Sequence, residues 1–481
     1  MTDELHHEII LAEERDNKRK LLIRSVNNEM KLIKFLTFTF FFIFCLNVAD
    51  TAKAFTLGKS AQPKNVIVMI GDGMGAGQIE IARQLEYGKN GRLFLESLPY
   101  TALVHTYSAN RMITDSAAAG TALATGKKTN NEMIGVTPDG KEIDSILDAF
   151  KTNGKRTGIL TTNSVTDATP AAFSASIANR WTNQSDIARQ QIDHGIDVIM
   201  GGGKKYFRGN LIAQAKKKGY TVIEDQIGLS KTKGEKILGL FSPHHMSFKI
   251  DRKHYKSDEP FLWEMSKKAI DTLNNKNGFF LMIEGARIDH AAHSADLTSV
   301  WLETKEFDET VRQVKSWAEK DSQTLVIVVA DHETMGLSGT EPLNIRSLKS
   351  ASASPEYIVS QFKEATDGAG YDKNSIYQAL KQYAGMELSD REINKLNQRM
   401  MNARGKVYTK NKEIWEVGSY IAERNYAGII SRKIRSISSA GGHTGNPVIL
   451  FAYGTGAEEF HGVMDNTEVP RKIAELMGYD L

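Results

Sequence analysis

The chain has 481 residues, of which 41% are hydrophobic and 25% are charged, so it is long enough to enclose a large core. Its 61 Lys and Arg residues against 58 Asp and Glu residues give a formal net charge of +3. This near balance argues against sequence-specific nucleic-acid binding, which requires a clustered excess of basic residues.

The N-terminal segment divides into a charged part and an apolar part. Residues 1–29 are rich in charge and poor in apolar side chains, which predicts no fixed structure. Residues 30–34 form a short basic segment, residues 35–46 are almost wholly apolar, and Ala-Lys-Ala occupies 52–54. This order is typical of a secretory signal with an A-x-A cleavage site.

We therefore interpret residues 30–54 as a signal peptide, with translation starting at Met30 and residues 1–29 left untranslated. This interpretation predicts an exported protein, periplasmic or secreted, whose mature chain is 55–481. The apolar run is too short to span a bilayer, so we expect no stable membrane anchor after cleavage; an uncleaved anchor is the alternative. The single cysteine, Cys45, lies within the signal, so the mature chain has no disulfide.

Apolar segments of strand length recur along the mature chain and alternate with helical patterns such as 76–87. The segments are 64–70, 157–160, 197–200, 278–283, 324–330 and 447–453. Continuous apolar strands separated by helices predict an α/β fold, with a mainly parallel central sheet covered by helices on both faces.

Residues 341–435 differ from the rest of the mature chain. They are polar and rich in Lys, and they carry helical patterns such as 388–400. Ser389 and Glu392 have the spacing of a capping box at the start of that pattern. We predict a largely helical insertion near the mouth of the functional site.

Acidic and histidine residues lie at or just beyond the ends of several predicted strands. They are Asp72, Glu284, Asp331, His332 and His443. Because ligands of open α/β sheets bind at the carboxyl ends of the strands, these side chains are predicted to meet in one site.

Ser116 stands directly after Asp115 and before a run of small residues that favours a helix. The free N–H groups and positive dipole end of a helix start favour an anion. Ser116 is therefore either a phosphate-accepting nucleophile or an ordinary helix N-cap, and these residues alone favour the cap.

The acidic and histidine residues have the chemistry of metal ligands. Asp289 and His293 are four residues apart and share one face of a helix, while Asp331 and His332 are adjacent at a strand end. The predicted zinc ligands are three carboxylates and three imidazoles: Asp72, Asp289, Asp331, His293, His332 and His443. Asp72, Thr169 and Glu284 offer only oxygen, which suits Mg²⁺.

Six segments carry a resemblance to a known family. They are NVIVMIGDGMG around Asp72, TDSAAAGTALATGKKT around Ser116, DATPAAF around Asp167, EGARIDHAAH ending at His293, ADHETMG around Asp331 and GGHTG around His443. In this order, over nearly the whole mature chain, they resemble bacterial alkaline phosphatases. The resemblance implies one catalytic domain over 55–481 that hydrolyses small-molecule phosphate monoesters through a phosphoserine at Ser116. It also implies inhibition by the product, inorganic phosphate, and a homodimer.

The resemblance also assigns residue roles. It implies a first zinc at Asp289, His293 and His443, a second zinc at Asp72, Asp331 and His332, and a magnesium at Asp72, Thr169 and Glu284, with Asp167 acting through water. Arg180 would clamp the phosphate oxygens; its alternative role is that of a surface arginine.

One departure from the family leaves the metal of the third site open. His290 stands where some bacterial members have lysine, and an imidazole there could change the metal that this site prefers. A phosphodiesterase of the same superfamily is the alternative enzyme. A non-catalytic phosphate-binding or metal-binding protein is the alternative outside enzymes, although every nucleophile, ligand and clamp residue is present.

Overall fold

Apolar segments rich in β-branched residues form the central strands of one large sheet. The structure is a computed structural model that describes residues 13–26, 30–31, 61–181, 184–366, 370–402 and 411–481. Its strands are β1 (Asn65–Ile70), β2 (Tyr100–His105), β3 (Arg156–Ser164), β4 (Val198–Gly202), β5 (Thr221–Ile223), β6 (Ile237–Leu240), β7 (Phe279–Glu284), β8 (Thr324–Val329), β9 (Glu333–Thr334), β10 (His443–Thr444), β11 (Val448–Gly454) and β12 (Gly462–Asp465).

Ten of these strands form the main sheet, in the order β12-β2-β11-β8-β1-β7-β3-β4-β6-β5. Neighbouring strands pair in parallel, for example β1 with β7 and β8, and the exception is β11, which is antiparallel to β8 and β2. Every residue of β1, β7 and β8 is buried, so both faces of the central strands are covered. The predicted α/β class with a mainly parallel sheet is confirmed.

The helices alternate with the strands through most of the chain. They are α1 (Ala76–Tyr87), α2 (Ser116–Thr125), α3 (Ile146–Thr152), α4 (Ala168–Ala172), α5 (Gln184–His194), α6 (Leu211–Lys217), α7 (Gln226–Lys231), α8 (Arg252–Tyr255), α9 (Leu262–Leu273), α10 (Arg287–His293), α11 (Leu297–Asp321), α12 (Ile345–Ser350), α13 (Pro355–Ser360), α14 (Lys373–Ala384), α15 (Asp390–Asn402), α16 (Lys412–Arg424), α17 (Arg432–Ile437) and α18 (Glu468–Met477).

The direction of β11 decides which residues lie at the carboxyl edge of the sheet. Because β11 is antiparallel to β8, the residues just before β11 lie beside the residues just after β8. A two-stranded pairing makes this contact directly, with His443 of β10 opposite Thr334 of β9. The fold therefore brings His443 next to the residues that follow β8.

The region predicted to be a helical insertion contains α12 to α17 in its described residues. Ser389 and Glu392 form the capping contacts before α15, with Ser389 N donating to Glu392 Oε2 at 2.9 Å. Buried apolar side chains from four of these helices, including Ile376, Leu396 and Val417, form a separate small core. The insertion thus has packing of its own beside the main sheet.

In the N-terminal unit, residues 1–60, the structure describes residues 13–26 and 30–31. Residues 13–26 form an exposed helix with an ion pair between Asp16 and Lys20 at 2.6 Å, so the expected lack of fixed structure is wrong there. That stretch is rich in residues with a high helix propensity. The prediction rested on charge content and did not consider helix propensity. The predicted signal peptide lies outside the described residues except for 30–31. Among the described helices, none is long and apolar enough to cross a membrane.

A buried carboxylate at the start of α11 gives the fold a pH-dependent stability. The Asp296 side chain caps α11 by accepting from Ser299 N at 3.0 Å, while its other oxygen, Oδ2, has no hydrogen-bond partner in the part of the chain that the structure describes. Burial raises the pKa of Asp296 to about 7. The folded protein therefore holds this proton more tightly than the unfolded chain, so stability falls as the pH rises from about 4 to 7.

We expect Asp296→Asn to keep the cap but to remove the cost of burying a charge. Its free energy of unfolding should match that of the wild type near pH 4 and exceed it at pH 8 by a few kcal/mol, about 1.4 kcal/mol for each pKa unit. Urea denaturation at both pH values measures this difference. Asp225→Asn is the control, because Asp225 caps α7 from a half-buried position. An equal loss of stability at both pH values in Asp296→Asn would contradict the expectation.

Candidate active site

Ser116 is the first residue of α2 and is 5% exposed. The N-cap is Asp115, whose Oδ1 accepts from Ala118 N at 3.0 Å, so the structure does not support the N-cap role for Ser116. The Ser116 hydroxyl lies instead 3.1 Å from His332 Nε2. Capping by the preceding aspartate thus leaves the serine oxygen at a helix start, directed toward a histidine.

Asp289, His293 and His443 form a first buried group, with ligand atoms within 4.8 Å of one another. His293 Nε2 lies 3.1 Å from His443 Nε2 and 3.3 Å from Asp289 Oδ2. The two Nδ1 atoms contact backbone carbonyls, of Gly441 at 3.0 Å and of Thr114 at 2.9 Å. Because each Nδ1–H donates to a carbonyl, each Nε2 presents its lone pair to the group, as in metal sites.

His332, Asp72 and Asp331 form a second group beside Ser116. His332 Nε2 lies 3.5 Å from Asp72 Oδ1 and 3.3 Å from Asp331 Oδ2. The Thr334 hydroxyl donates to Asp289 Oδ1 at 2.6 Å and lies 3.2 Å from His332 Nδ1, where it can accept the Nδ1 proton. Ligand atoms of Asp72, His332 and Asp289 lie within 4.8 Å of one another, so Asp289 belongs to both groups.

A third group, at the ends of β1 and β7, consists of side chains that offer only oxygen atoms as ligands. Thr169 Oγ1 donates to Asp72 Oδ2 at 3.4 Å, and Thr161 Oγ1 donates to Glu284 Oε2 at 2.5 Å. Burial raises the pKa of Glu284 to about 8, an effect that the Thr161 hydrogen bond opposes and the charges of nearby carboxylates increase. Thr161 was not predicted, because its hydroxyl reaches the site from the middle of a strand.

The buried carboxylates of these groups need positive charge. Asp72 Oδ1, Asp331 Oδ2 and Glu284 Oε1 are buried and have no hydrogen-bond partner among the described residues. Burial, and then the charges of Asp331 and Asp289, raise the pKa of Asp72 well above its usual range. Burying several unpaired charges together is costly unless cations are bound, so these residues fit metal ions.

Asp167 lies near enough to the oxygen-only set for its charge to raise the pKa of Glu284, but its own contacts are with a different group of side chains. Its Oδ1 accepts from Arg180 Nη2 at 2.6 Å, and it forms a possible ligand group with His245 and His290. Arg287 Nη1 donates to His290 Nδ1 at 2.8 Å. No motif in the sequence pointed to His245, which comes to the site from the loop after β6.

One cavity of about 320 Å³ contains Ser116 and the side chains around it. It is lined by Asp167, Arg180, Trp181, His245, Phe248, Arg287, Asp289, His290, His293, Ser294, Glu356, Asn411, Ile414, Trp415 and His443. Several of these belong to 341–435, so this region contributes directly to the wall of the cavity. Trp415, from α16, stacks on His293 with ring centroids 5.7 Å apart.

Comparisons with known proteins give one consistent result. A family model described as alkaline phosphatase matches residues 63–479. Alkaline phosphatase 4 of Bacillus subtilis is 35% identical over 437 residues, which cover 87% of this chain and 89% of that protein.

Solved structures share the fold at similar coverage. The alkaline phosphatase of Thermus thermophilus has a TM-score of 0.77 at 28% identity, covering 89% of this chain and 95% of that one. A mutant alkaline phosphatase of the Antarctic bacterium TAB5, with magnesium in its M3 site, has a TM-score of 0.62 at 27% identity, covering 88% and 100%. With sequence and fold matching over nearly all of residues 61–481, this chain belongs to the alkaline phosphatase family and is a phosphomonoesterase.

Proposed function

We propose that this enzyme hydrolyses phosphate monoesters in two displacements at Ser116 and that it depends on bound metal. The observation that carries the proposal is the position of Ser116 Oγ, at a helix start and 3.1 Å from His332 Nε2. Asp72 Oδ1 and Asp331 Oδ2 lie 3.5 and 3.3 Å from the same His332 Nε2. Helix N–H groups favour the phosphate.

The residues would hold three ions. Asp289, His293 and His443 would hold one zinc, and Asp72, Asp331 and His332 a second. Asp72, Thr169 and Glu284 would hold magnesium, with Asp167 acting through water, in keeping with the magnesium bound by the TAB5 relative. When bound, such ions supply Lewis acidity to the entering and leaving oxygens.

In the first displacement, Ser116 Oγ forms a bond to phosphorus as the bond from phosphorus to the ester oxygen breaks. The hydroxyl proton leaves Ser116, and the alcohol takes up a proton as it departs. In the second displacement, a water oxygen forms the new bond to phosphorus as the Ser116–phosphorus bond breaks, and a proton from that water passes to the serine oxygen. The products are the alcohol and inorganic phosphate.

Arg180 would hold two phosphate oxygens. Its guanidinium is 9% exposed and is oriented by Asp167 at 2.6 Å and Asp115 at 3.8 Å. A planar guanidinium held in this way at the cavity wall matches two phosphate oxygens. The arrangement supports binding of the substrate and also inhibition by inorganic phosphate.

We expect Arg180→Ala to weaken phosphate inhibition by about 10- to 100-fold, the effect of losing a bidentate charged contact, with metal content unchanged. The inhibition constant for inorganic phosphate and metal analysis of the purified protein are the measurements. Arg189→Ala is the matched control, because Arg189 is exposed and pairs only with Asp186 and Asp193 in the described residues. An unchanged inhibition constant would remove Arg180 from the phosphate site.

We also propose export through a signal peptide over residues 30–54, and a homodimer as the assembly. N-terminal sequencing of the protein from the producing cells tests the first point, with a mature start at Phe55 expected. A protein that retains residues 30–54 would contradict it. Sedimentation analysis tests the second, with a single species of one chain contradicting the dimer.

Paired substrates test the proposed activity. The enzyme should hydrolyse p-nitrophenyl phosphate much faster than bis-p-nitrophenyl phosphate, lose activity with a chelator, and regain it when zinc and magnesium are added together. Full activity after complete metal removal would overturn the metal dependence. A preference for the diester would make the enzyme a phosphodiesterase.

A further inference from the structure

A buried charge cluster lies in the helical region beside the active site, with Glu416 at its centre. Glu416, on α16, is 3% exposed. Its Oε2 lies 3.0 Å from Arg399 Nε and 2.6 Å from Arg432 Nε, and its Oε1 accepts from Arg435 Nη2 at 3.3 Å. One carboxylate thus holds three guanidinium groups, from α15 and α17, and fixes these helices against α16.

Arg435 connects this cluster to the active site through Trp415. The Arg435 side chain is 5% exposed and donates to Ser419 Oγ at 3.0 Å. Its guanidinium lies over the Trp415 ring, 5.0 Å from the ring centre. Trp415 in turn stacks on the His293 imidazole at 5.7 Å, with an angle of 10° between the rings. A rigid Arg435 therefore restrains the ring that covers His293.

Arg435 also begins the segment that completes the first metal-binding group. Arg435 lies on α17. In the segment that follows this helix, Gly442 N donates a hydrogen bond to Ser438 Oγ at 3.0 Å. Gly441 then accepts from His293 Nδ1 at 3.0 Å, and His443 enters the group itself. The route through the Trp415 ring thus leads from the cluster to His293, and the route through the backbone leads to both His293 and His443.

We propose that Glu416 is a positioning residue for His293 and His443. By holding Arg435, it sets both the Trp415 ring and the 438–443 segment, and so keeps the two Nε2 lone pairs directed at one point. The inference rests on the proposed function of these histidines as zinc ligands. Outer contacts of this kind typically change metal affinity 10- to 100-fold.

The test compares Glu416→Gln with Glu423→Gln in the zinc-loaded, full-length enzyme. Glu423 is a matched control: it binds Arg399 at 2.8 and 2.9 Å, and within the part of the chain that the structure describes it has no hydrogen bond to Arg435. The readouts are the rate of zinc release to a chromophoric chelator, kcat and KM, and the melting temperature.

Glu416→Gln should release one of two zinc ions about tenfold faster or more. The fold decrease in its kcat should exceed the fold change in its KM. Glu416→Asp, which keeps the carboxylate, should retain part of the kcat that Glu416→Gln loses. Glu423→Gln should behave as the wild type. Zinc release at the wild-type rate in Glu416→Gln, measured below its melting temperature, would overturn the proposal, as would an equal acceleration in Glu423→Gln.

A second variant separates positioning from general stability. Trp415→Ala should accelerate release as well, and Glu416→Gln should add less in that background than it does alone, because the route through Trp415 is already lost and only the 438–443 route remains. Full additivity would contradict the route through Trp415.

If the wild type takes up no zinc, the proposed metal function fails, and the positioning role of Glu416 is then tested on the metal-free protein. The measurement is the NMR signal of the His293 imidazole in each variant. A shift of this signal in Glu416→Gln but not in Glu423→Gln supports positioning, and no shift overturns it.

Discussion

Replacing Ser116 with alanine is expected to lower phosphomonoesterase turnover by about four orders of magnitude or more, as removal of a nucleophile does in other hydrolases. Ser116 Oγ is the oxygen that the proposed first displacement requires, and alanine leaves α2 intact because Asp115 caps it. Steady-state kinetics with p-nitrophenyl phosphate and metal analysis of the same preparation measure the effect. Metal content should stay nearly unchanged.

A second serine on the same cavity wall controls for disturbance of the pocket. Ser294 lines the cavity, and its Oγ donates to His290 O at 3.1 Å. Ser294→Ala should keep turnover within about threefold of the wild type, since a neutral hydrogen bond contributes little to catalysis when it lies outside the reacting groups. Wild-type turnover in Ser116→Ala would remove the covalent step.

Replacing Glu284 with alanine is expected to have the second largest effect, a loss of about 100-fold or more on monoesters. Glu284 Oε1 is buried without a partner, and the neighbouring Asp72 and Thr169 offer only oxygen. Removal of Glu284 should release magnesium and leave two zinc ions. Because a monoester carries more negative charge than a diester, loss of this ion should reduce monoester turnover more than diester turnover.

Glu333→Gln is the control for removing a buried carboxylate at the same sheet edge. Glu333 is 3% exposed, but its Oε1 accepts from Gln78 Nε2 at 3.0 Å and its Oε2 from Gly336 N at 3.1 Å. It therefore has no free oxygen for an ion, and its replacement should lower stability while the metal content stays the same. Equal losses on both substrates with magnesium retained in Glu284→Ala would make Glu284 structural only.

The sequence predicted the longer buried strands better than the short strands and the strands at the sheet margins. The four-residue β6 was not predicted, although all its residues are buried. All six apolar segments form strands of the main sheet, since burial on both faces leaves a continuous apolar signal. β2 was not predicted, because its residues alternate between exposed and buried and give a weaker signal. β5 has only three residues. Helix α1 was predicted at its observed bounds, 76–87.

The site was predicted as a set of ligand types, while its geometry came only from the fold. His443 reaches the group because β11 is antiparallel, a property that the strand pattern does not reveal. His245 lies in a loop without a motif. Trp415 and Glu416 lie in the polar region predicted as an insertion. The burial of Glu416, which is 3% exposed, depends on three arginines supplied by other helices.

The stereochemical course at phosphorus tests the two-step mechanism most directly. The substrate is a phosphate monoester whose phosphorus is made chiral with oxygen isotopes. The enzyme transfers its phosphoryl group to an acceptor alcohol, and the configuration at phosphorus in the product is determined. Each in-line displacement inverts phosphorus, so attack by Ser116 followed by attack by the acceptor gives net retention. Inversion would show a single direct displacement and would contradict a phosphorylated Ser116.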